Sequence, residues 1–63
     1  NMMKISRVEM IQESSDMLVY AMDKNGVEKK YKVPEKKMKE EKFSVGNRVA
    51  EETGGSLVSL ESE

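Results

Sequence analysis

Residues 17–33 read MLVYAMDKNGVEKKYKV, which places two strand-like segments on either side of a turn. Asn25-Gly26 supplies two neighbouring residues that tolerate a positive φ, and a type I′ hairpin turn requires both. Before the turn, residues 17–22 are apolar at every position, which predicts a strand covered on both faces, or on one face and by a partner. After the turn, Val27, Tyr31 and Val33 alternate with charged residues, and Lys29 is the one misfit on the apolar parity. These patterns predict a β-hairpin over about residues 16–33.

The segment before the hairpin predicts a strand with a defect. Apolar residues in 3–12 change parity part-way, so we expect a β-bulge near Ser6-Arg7. The polar residues 13–16 then predict the first turn.

The segment after the hairpin predicts a short helix and two more strands. Pro34 presets the φ of a first helical turn, and Met38 is the one apolar side chain between Pro34 and Phe43. A single apolar contact supports only one or two helical turns, which we place near 34–42. Residues 45–52 and 57–60 predict two strands separated by a turn at 53–55.

The resulting order predicts a mainly β fold: a small five-stranded antiparallel, partly open barrel with one short helix near 34–42. OB-like and SH3-like barrels both fit this order. Residues 3–61 are expected to form a single small β-barrel domain, and residues 1–2 to be a tag remnant or a disordered start. The expected lining is Val19, Ala21, Val27, Tyr31, Val33, Val45, Val49 and Val58.

The composition of the 63-residue chain limits its chemistry. It contains no Cys and no His, so thiolate metal sites and the commonest nucleophile and general base are absent. The adjacent carboxylates at 40–41 and 51–52 point in different directions on a helix or strand, and so do not converge by spacing alone. We therefore predict that the chain is not an enzyme and has no cofactor, no metal site and no small-molecule substrate.

The same composition bears on the compartment. No apolar run approaches the roughly 18 residues that a membrane span needs, and nothing resembles a secretory signal. Because the absence of Cys fits a reducing environment, we expect a cytoplasmic protein without a membrane partner.

Charge is distributed unevenly along a chain whose net charge is −1. Residues 24–42 carry eight lysines against four glutamates, and both ends are acidic. A cationic groove with stacked aromatic side chains is the single-strand-binding device of OB-type barrels, so this middle third is a candidate polyanion site. Parity turns Tyr31 towards the core, however, which leaves the lysines on a face without aromatics. The candidate residues are Lys29, Lys30, Lys32, Lys36, Lys37, Lys39 and Arg48.

Five short pieces of sequence follow one another in a characteristic order. They are Arg7-Val8-Glu9, Leu18-Val19, Asn25-Gly26, Val33-Pro34 and Val45-Gly46-Asn47-Arg48-Val49. This order resembles a bacterial domain-of-unknown-function family of short single-barrel proteins common in Firmicutes, over roughly residues 4–52. The chain departs from the family pattern at a Leu-Pro segment, replaced by residues 36–39, and at an Asp, replaced by Asn47. The resemblance implies a small barrel and no catalytic residues.

These observations favour a non-catalytic interaction or assembly domain that acts through protein–protein contacts, including self-association. A protein partner or a homodimer is expected ahead of nucleic acid, because methionine-rich apolar surface and open strand edges both suit protein contacts. The alternative is an OB-like nucleic-acid-binding module that uses the lysine-rich strand and connector.

Overall fold

The computed structural model describes residues 1–61, which form one five-stranded antiparallel sheet and one helix. The order across the sheet is β3-β2-β1-β4-β5, and α1 connects β3 to β4. The predicted mainly β fold with one short helix near 34–42 is confirmed. The elements are β1 (Met2–Met10), β2 (Met17–Asp23), β3 (Glu28–Val33), α1 (Glu35–Glu41), β4 (Arg48–Glu51) and β5 (Leu57–Ser59).

Strand β1 lies at the centre of the sheet and carries the predicted bulge. It pairs with β2 along its length and with β4 through its first residues, where Met2 lies opposite Ala50. The register with β2 shifts between Ile5 and Arg7. The extra residue, Ser6, lets apolar side chains face the core both before and after it, which explains the change of parity in the sequence.

The predicted β2–β3 hairpin is confirmed, but the predicted type I′ turn is wrong. Gly26 has φ 82° and is the one residue of the turn with a positive φ. The Gly26 N–H donates to the Asp23 carbonyl (3.0 Å), which makes a type I turn followed by a left-handed glycine. The Asp23 carboxylate accepts from the N–H groups of Asn25 (2.8 Å) and Val27 (3.0 Å). These two bonds fix the turn without a positive φ at Asn25.

The core lies on the concave side of the sheet, which we call the inner face. Val8, Tyr31 and Met38 are partly buried and pack against it. Its fully buried members come from all five strands and from the segment after α1: Met3, Ile5, Val19, Ala21, Val33, Phe43, Val49 and Leu57.

Three members of the predicted lining are misplaced. Val27 is 53% exposed and Val45 is 63% exposed. Val27 belongs to the turn before β3, and Val45 to the loop between α1 and β4, so neither occupies an inward-facing strand position. Val58 lies opposite Ala50, on the face away from the buried Val49, and the neighbouring Leu57 enters the core instead. The other five predicted lining residues are buried or half-buried.

The sheet curls until its non-adjacent strands β3 and β4 touch. The Tyr31 hydroxyl donates to Glu51 Oε1 (2.7 Å) and lies 3.8 Å from Met3 Sδ. Lys29 Nζ lies 3.9 Å from the same Glu51 oxygen. Since β2 and β1 separate β3 from β4 in the sheet, these contacts require a half-closed barrel. Within residues 1–61, β3 and β5 remain the two free edges.

Candidate interaction surface

The convex side of β1–β3, which we call the outer face, is set by the pairing of three strands. Tyr20 lies opposite Arg7 on β1 and opposite Lys30 on β3. Directly opposed residues project from the same side of a sheet. The outer face therefore carries Lys4, Arg7 and Glu9 from β1, Leu18, Tyr20 and Met22 from β2, and Glu28, Lys30 and Lys32 from β3.

The apolar part of this surface is the β2 row. Leu18 and Tyr20 are half-buried, and Met22 is 38% exposed. Charged side chains from β1 and β3 border the row on both sides. A central apolar and aromatic strip with a charged rim is the usual composition of a protein interface.

Arg7 and Tyr20 form the best-ordered group on the outer face. The Arg7 guanidinium lies 3.9 Å from the centroid of the Tyr20 ring, a cation–π contact. The Tyr20 hydroxyl donates to Glu9 Oε1 (3.1 Å), and Arg7 pairs with Glu9 at 3.0 Å. Burial, followed by the Glu9 carboxylate, raises the pKa of Tyr20. The three residues hold one another in place, so the ring presents a defined surface.

The β3 end of the outer face is joined to β1 by Glu28. Its Oε1 lies 3.8 Å from Arg7 Nη2, and its Oε2 accepts a hydrogen bond from the Ser6 hydroxyl (2.6 Å). The same Ser6 hydroxyl oxygen lies 3.2 Å from the Tyr20 carbonyl oxygen, the longer of its two contacts. The bulge residue therefore contributes to the surface as well as to the curvature, because the Glu28 side chain reaches over β2 to its hydroxyl.

The structure brings together only some of the predicted polyanion-site residues. Lys30 and Lys32 share the outer face with Tyr20, so the expectation that these lysines stand on a face without aromatics is wrong. That expectation considered Tyr31 alone, and the aromatic side chain comes from the neighbouring strand. Lys29 projects from the inner side of β3, towards Glu51.

The remaining candidates lie on other elements. Lys36, Lys37 and Lys39 belong to α1. Arg48 lies on β4 opposite Lys4 of β1 and pairs with Glu61, so it does not join the lysines of β3.

Carboxylates also neutralise part of the predicted basic cluster. Lys29 pairs with Glu51 (3.9 Å) and Lys32 with Asp16 (3.8 Å). Arg48 Nε lies 3.3 Å from Glu61, whose pKa is lowered by this hydrogen-bonded guanidinium, and the pKa of Arg48 is raised in turn. These pairs reduce the positive field that a polyanion would meet.

The mouth of the half-barrel holds an open cleft of about 480 Å³ between the β2–β3 turn and the end of β4. Its walls include Met2, Met3, Lys29 and Glu51. Beside it, burial and the hydrogen bond to Glu51 raise the pKa of Tyr31 to about 12. A phenol with so high a pKa stays protonated at neutral pH and acts here as a hydrogen-bond donor.

The described part of the chain, residues 1–61, contains no group of three or more acidic, His or Cys side chains that could hold a metal ion. Among the same residues, no helix has the length and apolar character that crossing a membrane requires.

No protein-family model, curated protein or solved structure matches this chain. The resemblance to the bacterial family of short barrels therefore stays a prediction.

The residues that sequence reasoning missed are Arg7 and Tyr20 as a stacked pair. A signal for them existed in the hairpin. Counting outward from Asp23 and Val27, which share a backbone hydrogen bond, places Tyr20 opposite Lys30. The position of Arg7 depends on the bulge in β1, which shifts the register by one residue, and the sequence indicates that bulge only approximately.

Proposed function

We propose that this chain is a non-catalytic interaction module that binds a protein partner through the outer face of β1–β3. The observation that carries the proposal is the β2 row, Leu18, Tyr20 and Met22, bordered by charged side chains and braced by Arg7. Tyr and Arg are enriched among the residues that contribute most to protein binding. Methionine adds a flexible apolar contact that adapts to the partner's shape.

The available side chains support a binding role over a catalytic one. His and Cys are absent from the sequence, and the perturbed pKa values belong to groups whose partners account for them. A cysteine-free chain suits a reducing compartment, and the cytoplasm is the compartment that we propose.

Photo-crosslinking in the native cell tests the proposal. Benzoylphenylalanine replaces Met22 on the outer face in one variant and Val45, in the loop between α1 and β4, in a matched control. Both positions are exposed, at 38% and 63%, so both variants are expected to fold. We expect a discrete protein adduct from position 22 and none from position 45. Equal labelling from both positions, or no protein adduct from position 22, would contradict the proposal.

Nucleic-acid binding is the second candidate, favoured by the position of Tyr20 beside Lys30 on the outer face. An aromatic ring among cations is the arrangement that stacks single-stranded bases in OB-type barrels. Against it, Arg7 covers one side of the ring, and Glu9 and Glu28 share the surface. Crosslinking of position 22 to RNA or DNA in the same experiment would favour this candidate.

A further inference from the structure

We infer that the free edge of β3 accepts an extended acidic segment of a partner protein as an additional strand. This inference rests on the proposed function and names the class of partner. Strand addition at a sheet edge supplies affinity through main-chain hydrogen bonds and specificity through the flanking side chains.

The register identifies which backbone groups of β3 face outward. The Asp23 N–H donates to the Val27 carbonyl (3.0 Å), so the hydrogen-bonded pairs of the hairpin recur every second residue from there. Lys29, Tyr31 and Val33 therefore bond to β2. The N–H and C=O groups of Glu28, Lys30 and Lys32 point to the free edge, and none of them bonds to another element within residues 1–61.

The other free edge, β5, is shorter and partly covered. The Leu60 N–H bonds to the Arg48 carbonyl, so the alternate residues Leu57 and Ser59 face outward. The Ser59 N–H is already bonded to Glu41 Oε1 of α1 (2.7 Å). An incoming strand would have to displace that carboxylate, whereas at β3 it would displace only water.

The charges along β3 oppose pairing with a second copy. In an antiparallel two-fold pair, outward-facing residues oppose each other. A pair centred on Glu28, Lys29, Lys30 or Lys32 places that residue opposite its own copy, and one centred on Tyr31 places Lys30 opposite Lys32. Registers centred on Glu28, Tyr31 or Lys32 oppose only like charges within the strand, which destabilises a cross-strand pair, whereas registers centred on Lys29 or Lys30 also set Glu28 opposite a lysine of the copy. Lysine on a free edge is a common protection against self-association.

The same charges favour an acidic strand. β3 carries three lysines and one glutamate. Lys29 and Lys32 already lie near Glu51 and Asp16, so Lys30 contributes most to the attraction. Acidic side chains on an added strand would lie beside Lys30 and Lys32 on the outer face, next to the Tyr20 ring. A nucleic acid fits this edge less well, because phosphates would meet the outward carbonyls of the same residues, whereas a peptide strand pairs with both the N–H and the C=O groups.

The first test measures binding of a synthetic probe to the full chain by fluorescence anisotropy at low salt. The probe is a fluorescein-labelled peptide in which glutamates alternate with valines, and the control peptide has lysines in place of the glutamates. We expect saturable binding of the glutamate peptide and at least about tenfold weaker binding of the lysine peptide, because cross-strand charge pairs change sign. Failure of the glutamate peptide to bind overturns the inference.

Two variants separate strand pairing from charge attraction. Lys30→Gln removes the charge and keeps the outward N–H, whereas Lys30→Pro removes both, without breaking a bond to β2. We expect Lys30→Gln to weaken binding about two- to fivefold, through the lost charge pair. Lys30→Pro is expected to weaken it about tenfold further, through the lost main-chain bond. Equal weakening by the two variants overturns the inference.

Hydrogen exchange on the complex gives a readout that does not depend on the proline variant folding. We expect the amide protons of Lys30 and Lys32 to exchange rapidly in the free chain and slowly in the complex. The amides of Lys29 and Tyr31, already bonded to β2, should be protected in both. A chain with an N-methyl amide at Lys30, made by chemical synthesis, should lose the binding if Lys30→Pro does not fold.

Other occupants of the edge give distinct results. Displacement of the glutamate peptide by single-stranded oligo(dT), or protection of the Lys30 amide in a dimer of the free chain, overturns the inference. Loss of peptide binding with a retained protein adduct at position 22 overturns the inference alone. Absence of that adduct, with the peptide still bound at β3, overturns the proposed outer-face function alone.

Discussion

The two free edges of this sheet, β3 and β5, differ in how pairing with another chain is limited. β5 spans three residues, and a helix side chain occupies its outward Ser59 N–H. β3 spans six residues and leaves alternate backbone groups open, with lysines on both faces of the strand. An exposed edge invites pairing with another chain, so both devices limit association.

The covering bond at β5 and the lysines at β3 differ in which partner strands they disfavour. At β5 the outward Ser59 N–H is already bonded to Glu41, so any added strand would have to displace that carboxylate. At a lysine-lined edge we expect basic strands to be disfavoured and acidic strands to be favoured. Charge would then make β3 selective, whereas the Glu41–Ser59 bond makes β5 less accessible.

The largest expected effect comes from detaching the helix that covers β5. Phe43 is buried (7% exposed) and anchors the end of α1 to the core. Phe43→Ala should cost about 3–5 kcal/mol, as typical for a buried aromatic side chain, and leave so small a domain largely unfolded. Urea titration followed by far-ultraviolet circular dichroism measures this loss of stability. Val45→Ala, at a 63% exposed position, should retain the wild-type midpoint. A cooperative transition for Phe43→Ala at the wild-type midpoint would contradict the role of Phe43 in anchoring α1 to the core.

A moderate effect is expected from removing the covering contact itself. Glu41→Ala leaves the part-buried Ser59 N–H without its carboxylate. The free energy of unfolding should fall by about 1–2 kcal/mol, the usual cost of an unsatisfied donor. The Ser59 amide should also exchange faster, which hydrogen exchange resolves. Glu40→Ala, at an exposed neighbouring position, is the control and should change neither quantity. An unchanged exchange rate at Ser59 would show that β5 is protected in another way.

Tyr31, on the inner side of β3, makes the stability of the folded chain depend on pH. The pKa of Tyr31 is about 12 in the folded chain, because of burial and Glu51, against 10.0 for an ordinary tyrosine. A raised folded-state pKa means that the unfolded chain loses the proton first as pH rises. The stability that this hydroxyl contributes is therefore complete below pH 10 and is lost as pH rises through 10 to 12.

Tyr31→Phe tests that dependence. The variant should be less stable than the wild type by about 0.5–1.5 kcal/mol at neutral pH, through loss of the hydrogen bond to Glu51. The difference should shrink in urea titrations at increasing pH above 10. Absorbance at 295 nm should show the late-titrating phenol in the wild type and not in the variant. A constant difference across that range would contradict the contact between β3 and β4.

The smallest effect on stability is expected at the lysines of the β3 edge. The double change Lys30→Gln and Lys32→Gln should alter the free energy of unfolding by less than about 0.5 kcal/mol, because exposed charges contribute little. It should nevertheless increase self-association, since the like-charge pairs at the edge are gone. Sedimentation velocity over a range of concentrations measures this. The control is Lys36→Gln and Lys39→Gln on α1. Equal behaviour of the two double variants would show that the edge lysines do not control association.

The sequence predicted the order of elements because the signals for them are local. The turn residues of the hairpin, Pro34 before the helix and the parity change in β1 each act within a few residues of one another. The same locality explains the wrong turn type. Asn25-Gly26 permits a type I′ turn, but the Asp23 carboxylate, bonded to two backbone amides, selects another.

The candidate surface was predicted only in part, because it is assembled across strands. The positions of Lys30 and Lys32 on β3 followed from alternation, but the Tyr20 ring beside them comes from β2 and the Arg7 guanidinium over that ring from β1. Placing Arg7 requires the register of β1, which a single bulge residue shifts.

By itself, the sequence determined a mainly β chain with a central hairpin, a short helix and lysine-rich third strand, since alternation, turn chemistry and composition are local properties. Only the tertiary structure decided that Tyr20 joins the lysines, that Arg48 is excluded from them, and that Glu41 covers Ser59, 18 residues away in the chain. Such contacts depend on register and curvature, which arise when the whole sheet curls over its core. The curled sheet leaves β5 partly covered by Glu41 and β3 open.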